Sequence, residues 1–330
     1  MEATLIAVIV IALVFDYTNG FHDAANAVAT SISTRAVPPN VALFAAAVLN
    51  LVGALVSTHV AATVASGIVE VEAVTSPVLL GGLVGAIVWN LLTWWWAIPS
   101  SSSHCLIGGV GGAVLATSGR DFVKWSGLVN KVLIPTLLAP LIGFSVGIAI
   151  MLALLWIFRR AHPQRVQRRF RLAQLASASV MAFSHGSNDA QKTMGVITLA
   201  LFAAGAIPVL EVPLWVKIAS AVTIAIGTYA GGKRIIRTLG MRLVKLAPAQ
   251  GFAAETAASA VLLGTAHFGL PISTTHVITS SVMGVGATER ASAVKWGLSI
   301  DIFVAWIVTL PASALLGGLG ALAARAIFAR

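Results

Sequence analysis

Charge is what this chain has least of. Only 10% of its 330 residues are Asp, Glu, Lys or Arg, against 58% that are hydrophobic, whereas a soluble globular domain carries roughly 25% charged residues. So few charges cannot cover a water-facing surface, and the fold class expected is an all-α polytopic membrane protein. Cysteine is nearly absent as well. Cys105 stands alone, which excludes an internal disulfide and a thiolate metal cluster. Acids are half as frequent as bases, 11 against 21, which leaves a net charge of +10. The bases are not interleaved with aromatics on a hydrophilic face, as a nucleic-acid footprint requires, so nucleic acid is excluded as a partner.

Apolar stretches fill the chain, near residues 1–15, 41–66, 78–98, 132–158, 190–210, 215–232, 251–270 and 296–325. Each approaches the roughly 20 residues that cross about 30 Å of hydrocarbon. The first lacks a basic leader and a small-residue cleavage site, and reads as a mature helix rather than a signal peptide. The bases gather in two loops, Arg159, Arg160, Arg165, Arg168, Arg169 and Arg171 in one and Lys233, Arg234, Arg237, Arg242 and Lys245 in the other. Both are expected on the cytoplasmic side of the plasma membrane.

The chain also repeats itself. Pro99-Ser100-Ser101-Ser102-Ser103-His104 returns 172 residues later, from position 99 to 271, as Pro271-Ile272-Ser273-Thr274-Thr275-His276. Val123-Lys124-Trp125 returns as Val294-Lys295-Trp296, and Gly20-Phe21-His22-Asp23-Ala24 as Gly186-Ser187-Asn188-Asp189-Ala190, in the same order. Residues 1–158 are therefore expected to form one membrane repeat, 159–171 a basic cytoplasmic linker, and 172–330 the second repeat. Residues 233–245 are strongly basic, whereas their counterpart 57–76 has no Lys or Arg and carries Glu70 and Glu72. The same loop thus faces opposite sides in the two halves, which is the mark of inverted-topology repeats with broken helices or re-entrant hairpins meeting at a central substrate site.

Two kinds of motif carry chemistry. Pro followed by hydroxyl residues belongs at the first turn of a helix, and such an end inside a membrane offers N–H donors and a positive dipole to an oxyanion. Ser101, Ser102, Ser103, Ser273, Thr274 and Thr275 are the candidate binders, with Asn26 and Lys192 beside them. An ion pair between Lys192 and Asp189 is the equal alternative for that lysine. Asp23 and Asp189, with the amides Asn19 and Asn188, interrupt apolar segments with oxygen ligands suited to a hard cation, and unwound backbone is expected there. A sodium ion at Asp23 and Asp189, or a proton, would do the coupling, and Glu255 is added to this set as a further membrane acid. No cofactor is expected beyond that ion. Trp94, Trp95 and Trp96 read as an interfacial belt, and His59 and His267 have no visible partner.

On these residues the chain resembles the PiT family of inorganic phosphate transporters. The likeness rests on the duplicated Asn/Asp motif at 20–27 and 186–194 and on the hydroxyl motifs ending in His104 and His276. It implies phosphate uptake by symport with sodium or protons, phosphate held centrally between inverted repeats, and a multi-pass protein of the bacterial inner membrane. A homodimer stays open. His22 where an Asn commonly precedes the Asp, and Asn50 where eukaryotic relatives have Glu, leave the coupling ion open, and sulfate or another tetrahedral oxyanion remains an alternative substrate. An intramembrane hydrolase is disfavoured because Ser103 and His104 are neighbours that cannot face each other as nucleophile and base. A phosphate channel is the other alternative.

Overall fold

The computed structural model describes residues 3–328, so the first two residues of the opening apolar stretch and the last two of the second repeat lie outside the described residues. Long helices account for nearly all of it: in hydrocarbon every backbone N–H and C=O must be satisfied within its own segment. They are α1 (Ala3–Ser33), α2 (Pro39–Ala54), α3 (His59–Gly67), α4 (Ser76–Trp95), α5 (Ser102–Ser118), α6 (Trp125–Gly127), α7 (Ile134–Ile157), α8 (Pro163–Ala203), α9 (Leu214–Ala230), α10 (Lys233–Arg237), α11 (Pro248–His267), α12 (Thr274–Glu289) and α13 (Trp296–Phe328). Pro39, Pro77, Pro163 and Pro248 sit in the first turns of α2, α4, α8 and α11, where the missing N–H costs nothing. A π-helical stretch, Leu128–Leu133, joins α6 to α7 into one span over Trp125–Ile157, which resolves the region 99–158.

Among the described residues, four helices are long and apolar enough to cross a membrane, and six if each bent pair counts as one span. The bent pairs are α2 with α3, at 68°, and α9 with the segment Lys233–Leu243, at 60°. The order of elements therefore recurs: a long helix, a bent pair, a helix, a short buried helix and a long closing helix. Contacts recur with it. Lys124 N donates to Ile68 O (2.9 Å) as Lys295 N does to Leu243 O (3.1 Å), and the indole of Trp125 donates to Arg120 O as that of Trp296 does to Ala291 O. The closing helix of each half lies on the hairpin of the other, α13 on α4 and α5 and α7 on α12 and α11.

Three expectations need correction. The aspartate motifs do not unwind their helices: α1 and α8 run continuously through Asp23 and Asp189. An Asp or Asn inside a helix lowers propensity by only about 0.7 kcal/mol, and Asp23, Asn26 and Asp189 find partners on other helices while the backbone ladder stays closed. Gly20 and Gly186 serve close packing, since a Cβ there would stand 2.5 Å from Ile224 O and 2.2 Å from Asn50 O. The basic clusters are not loops. Only residues 158–162 separate α7 from α8, and Arg165 to Arg171 already belong to the first turns of α8, because Arg, Gln and Leu are good helix formers. Finally, His59 and His267 face each other, ring centroids 6.3 Å apart.

Candidate functional site

The two hydroxyl motifs are helix starts, as their chemistry requires. Ser101 and Ser273 have extended backbones and accept, through Oγ, the N–H of His104 and of His276, each at 3.2 Å. Such a cap is worth about 1 kcal/mol, and the first turn still presents donors and the positive end of the dipole. The motifs touch although 169 residues separate the atoms concerned: Ser103 Oγ donates to Ile272 O at 3.1 Å, and the rings of His104 and His276 lie 5.0 Å apart. All six hydroxyl residues are buried.

Opposite these helix ends stand the carboxylates. Asp23 accepts from Ser102 Oγ (2.6 Å), from Thr275 Oγ1 (3.4 Å) and from Nδ1 of its neighbour His22 (2.7 Å). Asp189 pairs with Lys192, accepts from Thr274 Oγ1 at 3.1 Å, and has His185 Nε2 at 3.1 Å. Lys192 also donates to Ser103 Oγ (2.5 Å) and Ile272 O (3.1 Å), and Asn26 Nδ2 donates to Thr274 Oγ1 (3.2 Å) and Thr275 Oγ1 (2.9 Å). The structure thus shows the ion pair between Lys192 and Asp189 and sets the same ammonium against the first hydroxyl motif.

One ligand atom each from Asp23, His185 and Asp189 lies within 4.8 Å of the others. Two carboxylates that close repel by about 3–4 kcal/mol at an effective dielectric of 20, and one ammonium offsets one of them. One ammonium thus stands against two carboxylates in a buried space. Asn19 and Asn188 are buried close by in sequence, and neither amide has a hydrogen-bond partner among the described residues. Free amide oxygens beside carboxylates form a donor set that fits a hard cation.

Three further ionisable residues, none of them among the candidates drawn from the sequence, lie at this group. Asp16 is buried, takes a hydrogen bond from Thr193 Oγ1 at 3.0 Å and keeps Oδ2 without a partner among the described residues. His22 and His185 each adjoin an aspartate, and Nδ1 of His185 lies 3.1 Å from Asn50 Oδ1. The signal was available, since ionisable residues within a span are functional candidates by default, and His185 sits one turn before Asp189.

Glu255 does not join this group. It lies in a second buried cluster, accepting from Thr30 Oγ1 (2.5 Å), Ser177 Oγ (2.5 Å) and Gln174 Nε2 (3.1 Å). Thr30 is seven residues from Asp23, about 10 Å along α1. The Arg234 guanidinium lies over the rings of Trp94 and Trp95, at 5.2 and 4.5 Å, and donates to Trp95 O.

Spans of this length around a buried set of oxyanion donors and carboxylates define a multi-pass membrane transporter, not an enzyme. The chain belongs to the phosphate transporter family, whose sequence profile matches residues 19–317. It is 51% identical over 95% of its length to a protein of Mycobacterium bovis described as a probable low-affinity inorganic phosphate transporter, covering 76% of that relative. Proteins with the same description from Rhizobium meliloti (46% identical, 97% of each chain) and Bacillus subtilis (41%, 95% of each) match end to end. Among solved structures, one titled as the sodium-dependent phosphate transporter superposes with a TM-score of 0.90 over 99% of this chain and 100% of its own, at 23% identity, which establishes the shared fold.

Proposed function

We propose that this protein takes up inorganic phosphate by symport with a cation, sodium or proton, bound at Asp23 and Asp189. The observation that carries the reading is the convergence of two capped helix starts on the aspartate pair. In this arrangement the hydroxyls of Ser102 and Thr274 donate to carboxylates. A cation that takes over the carboxylate oxygens frees those hydroxyls to turn toward phosphate. It also cancels the residual negative charge that would repel a dianion. Cation and phosphate then raise each other's affinity by the same factor. Phosphate is held by residues 101–103 and 273–275 with Asn26 and Lys192, and Asn19 and Asn188 complete the cation shell.

The halves run in opposite directions through the plasma membrane, with 159–171 and 233–245 cytoplasmic. The matched contacts of the two halves and the crosswise packing of α7 and α13 support this. Lys124, which the symmetry sets on the outer face against the positive-inside trend, is paired there with Glu70 at 3.0 Å. Glu70→Cys and Arg237→Cys in a Cys105→Ala background are expected to label from opposite sides with an impermeant thiol reagent. Labelling from the same side would remove the inverted arrangement.

Radiolabelled phosphate uptake in proteoliposomes, with sodium and pH gradients imposed separately and sulfate as competitor, tests the whole reading. Saturable uptake that concentrates phosphate under one gradient is expected. Uptake that only equilibrates under both gradients would make the protein a channel, and stronger competition by sulfate than by phosphate itself would make it a sulfate carrier.

A further inference from the structure

Six arginines crowd into residues 159–171, and none of them forms an ion pair among the described residues. They mark the junction between α7, which ends at Ile157, and α8, which begins at Pro163. Arg165 and Arg169 are one helical turn apart on the same face of α8, and with Arg160 they line a cavity of about 640 Å³. Its remaining walls include Phe158, Val166 and Phe170. A second cavity, of about 230 Å³, shares those three walls and continues along Met151, Leu154 and Leu155 of α7, toward the apolar body of the helix. A chamber lined with guanidinium groups therefore opens beside an apolar slot.

The surroundings fix its level in the bilayer. Leu152, Leu155, Trp156 and Ile157 are exposed on a helix long and apolar enough to span the membrane, so they face acyl chains. The Arg159 guanidinium lies 5.3 Å over the Trp156 ring, an aromatic and a cation at the height of the headgroups. From Arg169 to Asp189 is 20 residues of continuous helix, about 30 Å, so this chamber is separate from the transport site.

We propose that the α7–α8 junction binds an anionic phospholipid, its phosphate held by Arg160, Arg165 and Arg169 and one acyl chain lying along Met151, Leu154 and Leu155. Arginine forks match phosphate oxygens in pairs, and basic groups just outside a span attract anionic headgroups. Free phosphate shares the headgroup chemistry but leaves the apolar slot unused. Occupancy would tie the start of α8, the helix that carries Asp189 and Lys192, to the end of α7.

The test uses the full-length protein in detergent, with retained lipid counted by native mass spectrometry after exposure to phosphatidylglycerol or phosphatidylcholine. Phosphatidylglycerol is expected to be retained preferentially, and Arg160→Gln, Arg165→Gln and Arg169→Gln to lower its retention by about fivefold each. Arg120→Gln, at an exposed site elsewhere, is expected to change nothing. Leu154→Trp fills the slot without altering charge and is expected to weaken phosphatidylglycerol binding too. Arg165→Lys keeps charge and helix propensity but loses the fork, so it is expected to retain phosphatidylglycerol better than Arg165→Gln and less well than the wild type, even where a glutamine variant loses monodispersity. Equal retention of the two lipids by the wild type overturns the proposal. So does displacement of phosphatidylglycerol by inorganic phosphate, which would make this a free-phosphate site.

Discussion

The surroundings of Asp23 and Asp189 differ most in charge. Three positions after Asp189 stands Lys192, and three after Asp23 stands Asn26. Asp189 consequently carries its own counter-charge, bonded directly to it, whereas Asp23 is held by Ser102, Thr275 and His22. A buried carboxylate without a Lys or Arg bonded to it is the one that gains more from a cation arriving from solution. The two halves thus leave one carboxylate paired with a lysine of the chain and one without such a partner, and on the proposed reading the second is the one the coupling cation balances.

Removing the carboxylates is the most severe way to break this comparison. Asp23→Asn and Asp189→Asn keep size and one oxygen ligand but lose the charge. In correctly inserted protein, both are expected to reduce gradient-driven phosphate uptake to background. The comparison sharpens in residual phosphate binding: Asp23→Asn is expected to lose its cation dependence, and Asp189→Asn, whose lysine is then unopposed, to keep part of it. Wild-type uptake with wild-type cation dependence in both would make the aspartates structural.

Lys192→Met tests the self-balanced side. It strands Asp189 without its partner in a buried site, at a cost of about 3–5 kcal/mol, visible as a lower unfolding temperature of the purified protein. Asn26→Ala, at the matching position, removes only the donor to Thr274 and Thr275 and is expected to cost about 1–3 kcal/mol. Equal losses would erase the distinction between the halves.

The scaffold beneath the two sides should respond alike. A Cβ at Gly53 would stand 2.2 Å from Phe183 O where α2 crosses α8, and one at Gly227 would stand 2.3 Å from Tyr17 O where α9 crosses α1. Gly53→Ala and Gly227→Ala are each expected to destabilise by about 1–3 kcal/mol, whereas Gly111→Ala, with open space around it, gains about 0.5–1 kcal/mol from helix propensity. Thermal unfolding in detergent checks the three together, and indifference at either crossing would sink the matched-packing argument.

The mildest probes are the hydroxyls. Ser102→Ala and Thr274→Ala each delete one hydroxyl that donates to a carboxylate and that the proposed function turns toward phosphate, with about 1–3 kcal/mol at stake. Half-saturation for phosphate is expected to rise about tenfold in each, a shift worth about 1.4 kcal/mol. Unchanged half-saturation in both would move phosphate binding away from the helix starts.

Much of this was legible in the chain before folding was considered. Hydropathy alone shows a membrane protein, because a scarcity of charge over 330 residues leaves no other solvent. The paired Pro and hydroxyl motifs show helix starts, because capping is local chemistry that reads a few adjacent residues, and Ser101 and Ser273 cap as expected. What the order of residues could not show is which distant groups share a space. That Asp16 meets Thr193, that His185 lies beside Asp189 and Asn50 together, and that Glu255 belongs with Thr30 and Ser177 rather than with the aspartates depends on how helices cross. The continuity of α1 and α8 through their polar motifs was likewise decided in three dimensions. Locally, Asp and Asn compete with the helix for hydrogen bonds. Here Asp23, Asn26 and Asp189 take Ser102, Thr274 and Thr275 of α5 and α12 as partners instead, and the backbone keeps its own ladder.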